Sequence, residues 1–379
     1  MFHLILFSLI VSSGAQEKSC KRIVCLVDNL DNPKDFIVDG LPTDYCTHFI
    51  YDSAYILGNT LMHKHSYELF RSKRKGLYRK LNGQKRDKPG LITLLRVSPP
   101  KESNEPFSTM VGTVANRQAF ITAAIAYLKK YRFDGLEINW PRPGEFGGKA
   151  EDKTNYSAFL KEFSEALQKE AATFKRPRLL LWAVVHPYYF DLIEVDEMAK
   201  YLDMANVITY GLRGFWDYEM DHHSPLRGWF GVASIMEDWM RRGMPALKLN
   251  LGISMSGVYC HVKNKTDHSR LGNYDFNQEP VYTKYNRGGM AFTEICLLTI
   301  DQQYVHRDEY LSAPYFFREG LWLGYDDRLS VYEKGKYAKE NDLGVWVRNV
   351  QMDDYNGTMC GMGKYPLIRS IFSGCSMSF

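Results

Sequence analysis

Beyond its first dozen residues the sequence has no apolar run of the roughly 20 residues that a membrane helix needs, so no membrane span is expected. Its seven cysteines include no CxxC pair and no Cys/His cluster, so neither a metal centre nor a cofactor is expected. Charge of one sign is scarce as well. The 48 basic residues nearly balance the 44 acidic ones, and a net +4 is too small to imply nucleic-acid binding. There is no low-complexity tail, no repeat array and no appended binding module. No Ser/His/Asp spacing points to a nucleophilic triad, although such groups need not be close in sequence.

What is present fits a secreted protein. Phe2 to Val11 is apolar and is followed by Ser12-Ser13-Gly14-Ala15, so residues 1–15 read as a signal peptide cleaved before Gln16. Cysteine usage suits an oxidising compartment, and the odd count leaves at least one thiol unpaired within a monomer. Sequons at Asn155, Asn264 and Asn356 are candidate glycan sites. Aromatics make up 14 % of the chain, which serves either a large core or a sugar-binding cleft.

Short apolar runs alternate with helix-like stretches. Candidate strands are Ile23–Val27, His48–Tyr51, Leu91–Val97, Gly135–Trp140, Leu179–Val185, Met204–Tyr210, Leu247–Ile253 and Gly344–Val350. Most are apolar throughout, as strands covered on both faces should be. Arg117–Tyr131, Ser157–Thr173, Ser234–Arg242 and Tyr332–Asn341 read as helices. Eight such alternations predict the α/β class and a (β/α)8 TIM barrel, which typically needs about 250 residues. The excess falls at 258–321, rich in Tyr, Asn and Gly. It reads as an α+β insertion subdomain between strands 7 and 8, with the barrel at 16–257 and 322–379.

The most informative segment is Phe133-Asp134-Gly135-Leu136-Glu137-Ile138-Asn139-Trp140-Pro141-Arg142-Pro143-Gly144. Alternation puts Glu137, Asn139 and Pro141 on one face of a barrel strand, at the end where barrel active sites lie. This segment resembles, without a gap, the F-D-G-L-D-L-D-W-E-Y-P-G signature of glycoside hydrolase family 18, the chitinases and chitinase-like proteins. Cys46–Tyr51 is similar to that family's second strand, and Thr209-Tyr210-Gly211-Leu212-Arg213-Gly214-Phe215-Trp216-Asp217 to its T-Y-D-L-H-G-x-W-D. Lys248–Ile253, Gly289–Cys296, Ala313–Asp327 and Met352–Cys360 extend the resemblance over nearly the whole mature chain.

The resemblance implies that Asp134, Glu137, Asn139, Pro141 and Tyr210 are remnants of a catalytic constellation. The family's glutamate protonates the glycosidic oxygen, and here it aligns with Pro141, which carries no proton. General acid catalysis contributes about 10²–10⁴-fold. Glu137 lies roughly 13 Å down the strand and cannot replace it. Gly211 stands for an aspartate, Arg348 for the tryptophan under the central sugar, and Ser53 for a second-strand aromatic. A catalytically inactive, chi-lectin-type member is therefore expected, favoured as a monomer. Its partner would be a chitin-type oligosaccharide, a glycosaminoglycan or an extracellular protein. A growth-factor-like or immune-modulating factor without chitin binding is one alternative, and a weakly active or repurposed glycosidase is the other.

Trp140, Tyr210, Arg213, Trp216, Trp322 and Arg348 are the ligand-binding candidates. Each has a structural alternative: barrel packing for the aromatics, ion pairs with Glu137 or Asp217 for the arginines. Asp134 reads equally as a carboxylate pairing locally near its turn. The resemblance also implies disulfides Cys25–Cys46 and Cys296–Cys360, leaving Cys20, Cys260 and Cys375 open. Finally, nine basic residues crowd the stretch from Arg71 to Lys88, with Asp87 as the lone opposing charge. That run is either a polyanion site or a solvated outer face.

Overall fold

Alternating side chains on the strands serve two cores at once. Val24, Leu26, Ile50, Leu94, Trp182, Val184, Tyr210 and Trp346 form one buried cluster. Their alternate neighbours along the strands, such as Cys25, Val27, Phe49, Leu95, Ile138, Ala183 and Val347, belong to a second and larger one. The first set points into a closed barrel and the second lies under the helices, which is why the strands read as continuous apolar runs. The computed structural model describes residues 19–28, 40–71, 74–100, 103–214, 216–217, 221–262 and 289–376, with backbone alone at 70, 71, 74 and 75. The signal-peptide segment and Asn264 lie outside the described residues.

The barrel strands are β1 (Ile23–Asp28), β2 (His48–Leu57), β3 (Ile92–Val97), β4 (Gly135–Asn139), β5 (Leu180–Val185), β6 (Met204–Val207), β7 (Leu249–Ser254) and β8 (Gly344–Arg348). All neighbours pair in parallel, and β1 pairs with both β2 and β8, which closes the ring. The helices between them are α1 (Leu77–Gly83), α2 (Glu105–Val111), α3 (Val114–Tyr131), α4 (Asp152–Phe174), α5 (Val195–Tyr201) and α6 (Val232–Arg241). After β7 come α7 (Phe292–Leu298) and α8 (Arg328–Glu340), and α9 (Pro366–Ser376) follows β8. The fold is a (β/α)8 TIM barrel. α3 starts where the Thr113 hydroxyl accepts the Asn116 N–H and stops at Arg132, whose φ of 64° ends the helix in a left-handed residue.

Two strands differ from the sequence reading by three residues or more at one end. β2 runs six residues further, to Leu57, because it turns back on Thr60–His63 as a hairpin. Its tip, Gly58-Asn59, has φ of 52° and 56°, as a tight two-residue hairpin turn requires. β6 ends at Val207, and Ile208 to Tyr210 continue without strand pairing. Between β7 and β8 a separate sheet of five antiparallel strands runs from Ser256–His261 to Leu321–Gly324, with Gly289–Ala291, Val305–Asp308 and Ala313–Arg318 between.

α8 and α9 cross closely because Gly335 and Gly374 leave room. A Cβ on Gly374 would lie 2.2 Å from the Tyr332 carbonyl oxygen, and one on Gly335 2.8 Å from that of Ile371. The same corner carries the disulfide Cys20–Cys375, which joins the approach to β1 to the last helix.

Candidate functional site

A chain of polar side chains threads the barrel from one end to the other. At the N-terminal end Arg22 Nε donates to Asn250 Oδ1 at 2.6 Å, and Asn250 Nδ2 donates to Asn206 Oδ1 at 2.6 Å. Asn206 Nδ2 donates in turn to Glu137 Oε1 at 2.5 Å. The other oxygen of Glu137 accepts from Arg96 Nε. Arg96 Nη1 reaches Asp52 Oδ2 at 3.2 Å, Ser98 Oγ donates to Asp52 Oδ1 at 3.4 Å, and Asn139 Nδ2 donates to Ser98 Oγ at 3.1 Å. Glu137 is wholly buried and Arg96 nearly so.

Register explains the central pair. Arg96 and Glu137 are direct partners across β3 and β4, both facing inward. Burial opposes the charge on Arg96, but Glu137 and Asp52 more than offset it and raise its pKa. Its guanidinium also lies 5.2 Å from the ring centre of Trp346. Trp182 and Trp346 fill the barrel beside this network, so its middle is packed solid.

The mouth is charged. Asp28 and Asp52 are register partners on β1 and β2, so two carboxylates face each other across neighbouring strands. Desolvation, then the charge of Asp52, pushes Asp28 up to about 7, against the pull of Arg348, Lys64 and Arg96. A carboxyl whose folded pKa exceeds its unfolded value of about 3.9 stabilises the fold fully only below the unfolded value. That contribution is lost as pH rises toward 7. Asp28→Asn is therefore expected to flatten the fall in stability between about pH 4 and 7, as read from urea midpoints across that range. A slope identical to wild type would contradict the shift.

Arg348, at the end of β8, caps the mouth. It is exposed, and its guanidinium lies 5.4 Å above the ring of Tyr210, which is itself 5.6 Å from Trp346. Burial raises the Tyr210 pKa even though Arg348 and Arg96 oppose the shift.

The rim after β4, β5 and β6 is aromatic and cationic. Arg142 lies 4.2 Å from the Phe146 ring and 5.6 Å from that of Tyr189. Tyr189 stacks on His186 at 3.9 Å, Tyr188 meets Phe230 edge-on at 6.1 Å, and Arg213 lies 4.5 Å over Phe230. Arg213 also pairs with Asp217 at 3.3 Å, and Trp216 beside it is half exposed. Burial, reinforced by Arg142, pulls His186 down to about 4, so this imidazole is neutral at physiological pH.

Residues 22–353 match the sequence profile of glycosyl hydrolases family 18. The chain belongs to glycosyl hydrolases family 18. It is 32 % identical to chitotriosidase-1 of Mus musculus over 375 residues, covering 93 % of this chain and 78 % of that protein. Against the oviduct-specific glycoprotein of Mesocricetus auratus identity is 30 %, over 95 % of this chain but only 54 % of the relative. A solved structure of human YKL-39, described as a pseudo-chitinase with retained chitooligosaccharide binding properties, superposes with a TM-score of 0.83 at 26 % identity. It covers 93 % of this chain and 99 % of its own.

The family 18 signature positions scatter. Asp134 lies at the opposite end of β4 from the mouth, where it accepts from the Thr93 N–H at 2.8 Å and from Lys85 at 2.6 Å. Glu137 sits mid-barrel, Asn139 is half-buried at the end of β4, and Pro141 follows in the loop. Trp140 is 1 % exposed between Phe107 and Tyr156, so it offers no surface to a ligand. Trp322 is buried on Tyr315 within the insert sheet. Of the ion pairs weighed for the arginines, Arg213 with Asp217 forms, whereas Glu137 is taken by Arg96 rather than Arg348.

Both disulfides implied by the resemblance are present, Cys25–Cys46 and Cys296–Cys360. Cys20 pairs with Cys375, and burial pushes the Cys260 thiol up to about 12. Asn155 lies in the first turn of α4, and Asn356 is exposed. No helix of the described residues is long and apolar enough to cross a membrane.

Arg96, Asp28 and Asp52 escaped the sequence reading, as did the rim residues Phe146, Tyr188, Tyr189 and Phe230. A signal existed for the rim, because Tyr188-Tyr189-Phe190 and Trp229-Phe230 follow β5 and β6, on the side where barrel sites lie.

Proposed function

We propose that this family 18 protein is secreted and binds a glycan or an extracellular protein partner without hydrolysing chitin. The observation that carries the reading is the state of the inward face of β4. Glu137 is committed to a buried ion pair with Arg96, Asn139 is bonded to Ser98, and Pro141 ends the series with no titratable group. Family resemblance puts the proton donor at position 141. A protonated acid within reach of the glycosidic oxygen is worth about 10²–10⁴-fold, and the nearest inward carboxylate on this strand is locked away.

Binding rests on the rim. Exposed Trp216, Tyr188 and Tyr189 offer aromatic faces of the kind on which sugar rings stack. YKL-39, similar in fold, is described as retaining chitooligosaccharide binding. Chitohexaose incubated with the protein is expected to remain uncleaved by mass spectrometry. Calorimetry should show binding that Trp216→Ala weakens about ten-fold, in line with the upper end of about 0.5–1.5 kcal/mol for one aromatic contact. Cleavage blocked by a transition-state inhibitor would overturn the reading. A second reading, a protein partner with no chitin affinity, is favoured by Arg348 lying over Tyr210, where the resemblance places the tryptophan floor. Absence of chitohexaose binding together with capture of an extracellular protein through the rim would select it.

A further inference from the structure

The end of the barrel away from the mouth holds a groove of about 830 Å³ between α1 and the C-terminal end of α3. The location follows from topology, since α1 leads into β3 and α3 into β4, so both helices end where those strands begin. Arg79, Lys80, Arg86, Lys130 and Arg132 line the groove against the single carboxylate of Asp87. Neighbouring cations are already committed. Lys85 pairs with Asp134 at 2.6 Å and Lys129 with Glu170 at 3.0 Å. Arg79, Arg86, Lys130 and Arg132 are exposed and have no carboxylate partner among the described residues.

The walls are held in place before any ligand arrives. Asn82 Nδ2 donates to the Tyr131 carbonyl at 3.0 Å and Lys85 Nζ to that of Arg132 at 2.9 Å, tying α1 to the end of α3. The helix dipole accounts for cations at the end of α3. It does not account for Arg79 and Arg86 facing the same space from α1 and the turn after it. Unpaired like charges brought together in one groove repel, and an anion relieves that cost. Three of the four exposed cations are arginines, whose planar forks bind sulfate and carboxylate through paired hydrogen bonds. Tyr131, with Lys130 5.2 Å from its ring, adds an apolar wall.

We propose that this groove is a second binding site, for a linear sulfated polysaccharide, on the face opposite the mouth. The three disulfides suit an oxidising compartment, where polyanions of this class are found. The site is independent of the reading given for the cleft. The two ligands bind at opposite ends of the barrel, so chitohexaose does not compete with the polysaccharide.

The test compares the full chain with a triple variant, Arg79→Gln, Lys130→Gln and Arg132→Asn, in which asparagine suits the left-handed backbone at 132. Calorimetry with heparin octasaccharide is expected to show roughly ten-fold weaker binding in the variant, as suits exposed, solvent-screened cations, with an unchanged melting temperature. De-sulfated heparin should bind neither form, and affinity should fall steeply with salt. Three results would overturn the proposal. The triple variant could bind heparin as well as wild type does, or Lys73→Gln with Lys75→Gln could abolish binding while the triple variant does not. Alternatively, wild type could ignore heparin yet bind phosphatidylserine vesicles through the same residues, which would assign the groove to a lipid surface.

Discussion

Arg96→Ala lowers the stability of the folded chain by about 3–5 kcal/mol, the usual cost of removing one partner from a buried ion pair. Glu137 would keep its bond from Asn206 but lose the cation that offsets its burial, since the carboxylate is wholly enclosed. Asp52 would lose its inward partner too, and Trp346 the guanidinium beside its ring. A urea titration should show a lower midpoint with an unchanged slope. The double change Arg96→Met with Glu137→Leu should recover most of that loss, because an apolar pair of similar volume often does as well as a buried salt bridge. A cost below about 1 kcal/mol for Arg96→Ala would mean that water reaches the pair.

Removing the disulfide between Cys20 and Cys375 should cost about 2–5 kcal/mol, the range seen when native bridges are lost. The two sulfurs are 355 residues apart in sequence, against 21 for Cys25–Cys46. Loop-closure entropy gives roughly 6 kcal/mol for the longer loop and roughly 3 for the shorter. Cys20→Ala with Cys375→Ala is therefore expected to destabilise more than Cys25→Ala with Cys46→Ala, by differential denaturation under non-reducing conditions. Equal costs would show that the unfolded chain is constrained by other means. Native packing supports the bridge, because the Cys20 N–H donates to the Cys375 carbonyl at 3.1 Å and α8 lies directly against α9.

The barrel was legible in the sequence because both strand faces are covered. A run such as Val24-Cys25-Leu26-Val27 serves the interior and the helix layer alternately, leaving an unbroken apolar signal. The hairpin after β2 was missed because its signal is two residues, Gly58-Asn59. The site was legible only where one strand carries it. Glu137, Asn139 and Pro141 lie on a single segment, so their spacing was informative. The partner of Glu137 is 41 residues away on β3, and no periodicity announces an arginine inside a barrel. Asp28 beside Asp52 likewise depends on register between strands. For Trp140 and Trp322 the sequence left packing and ligand contact both open, because composition marks a large aromatic ring but only packing decides whether it faces a ligand or its neighbours.

The link from Cys20 to Cys375 has a mechanical consequence. Tension applied to the described segment at residues 19 and 376 would pass through the sulfur bridge and bypass the barrel, which would stay unloaded until that bond was reduced. A protease cutting once in a loop between those cysteines would likewise release nothing. The two pieces would stay joined through sulfur, so an electrophoretic gel would reveal the nick only after reduction.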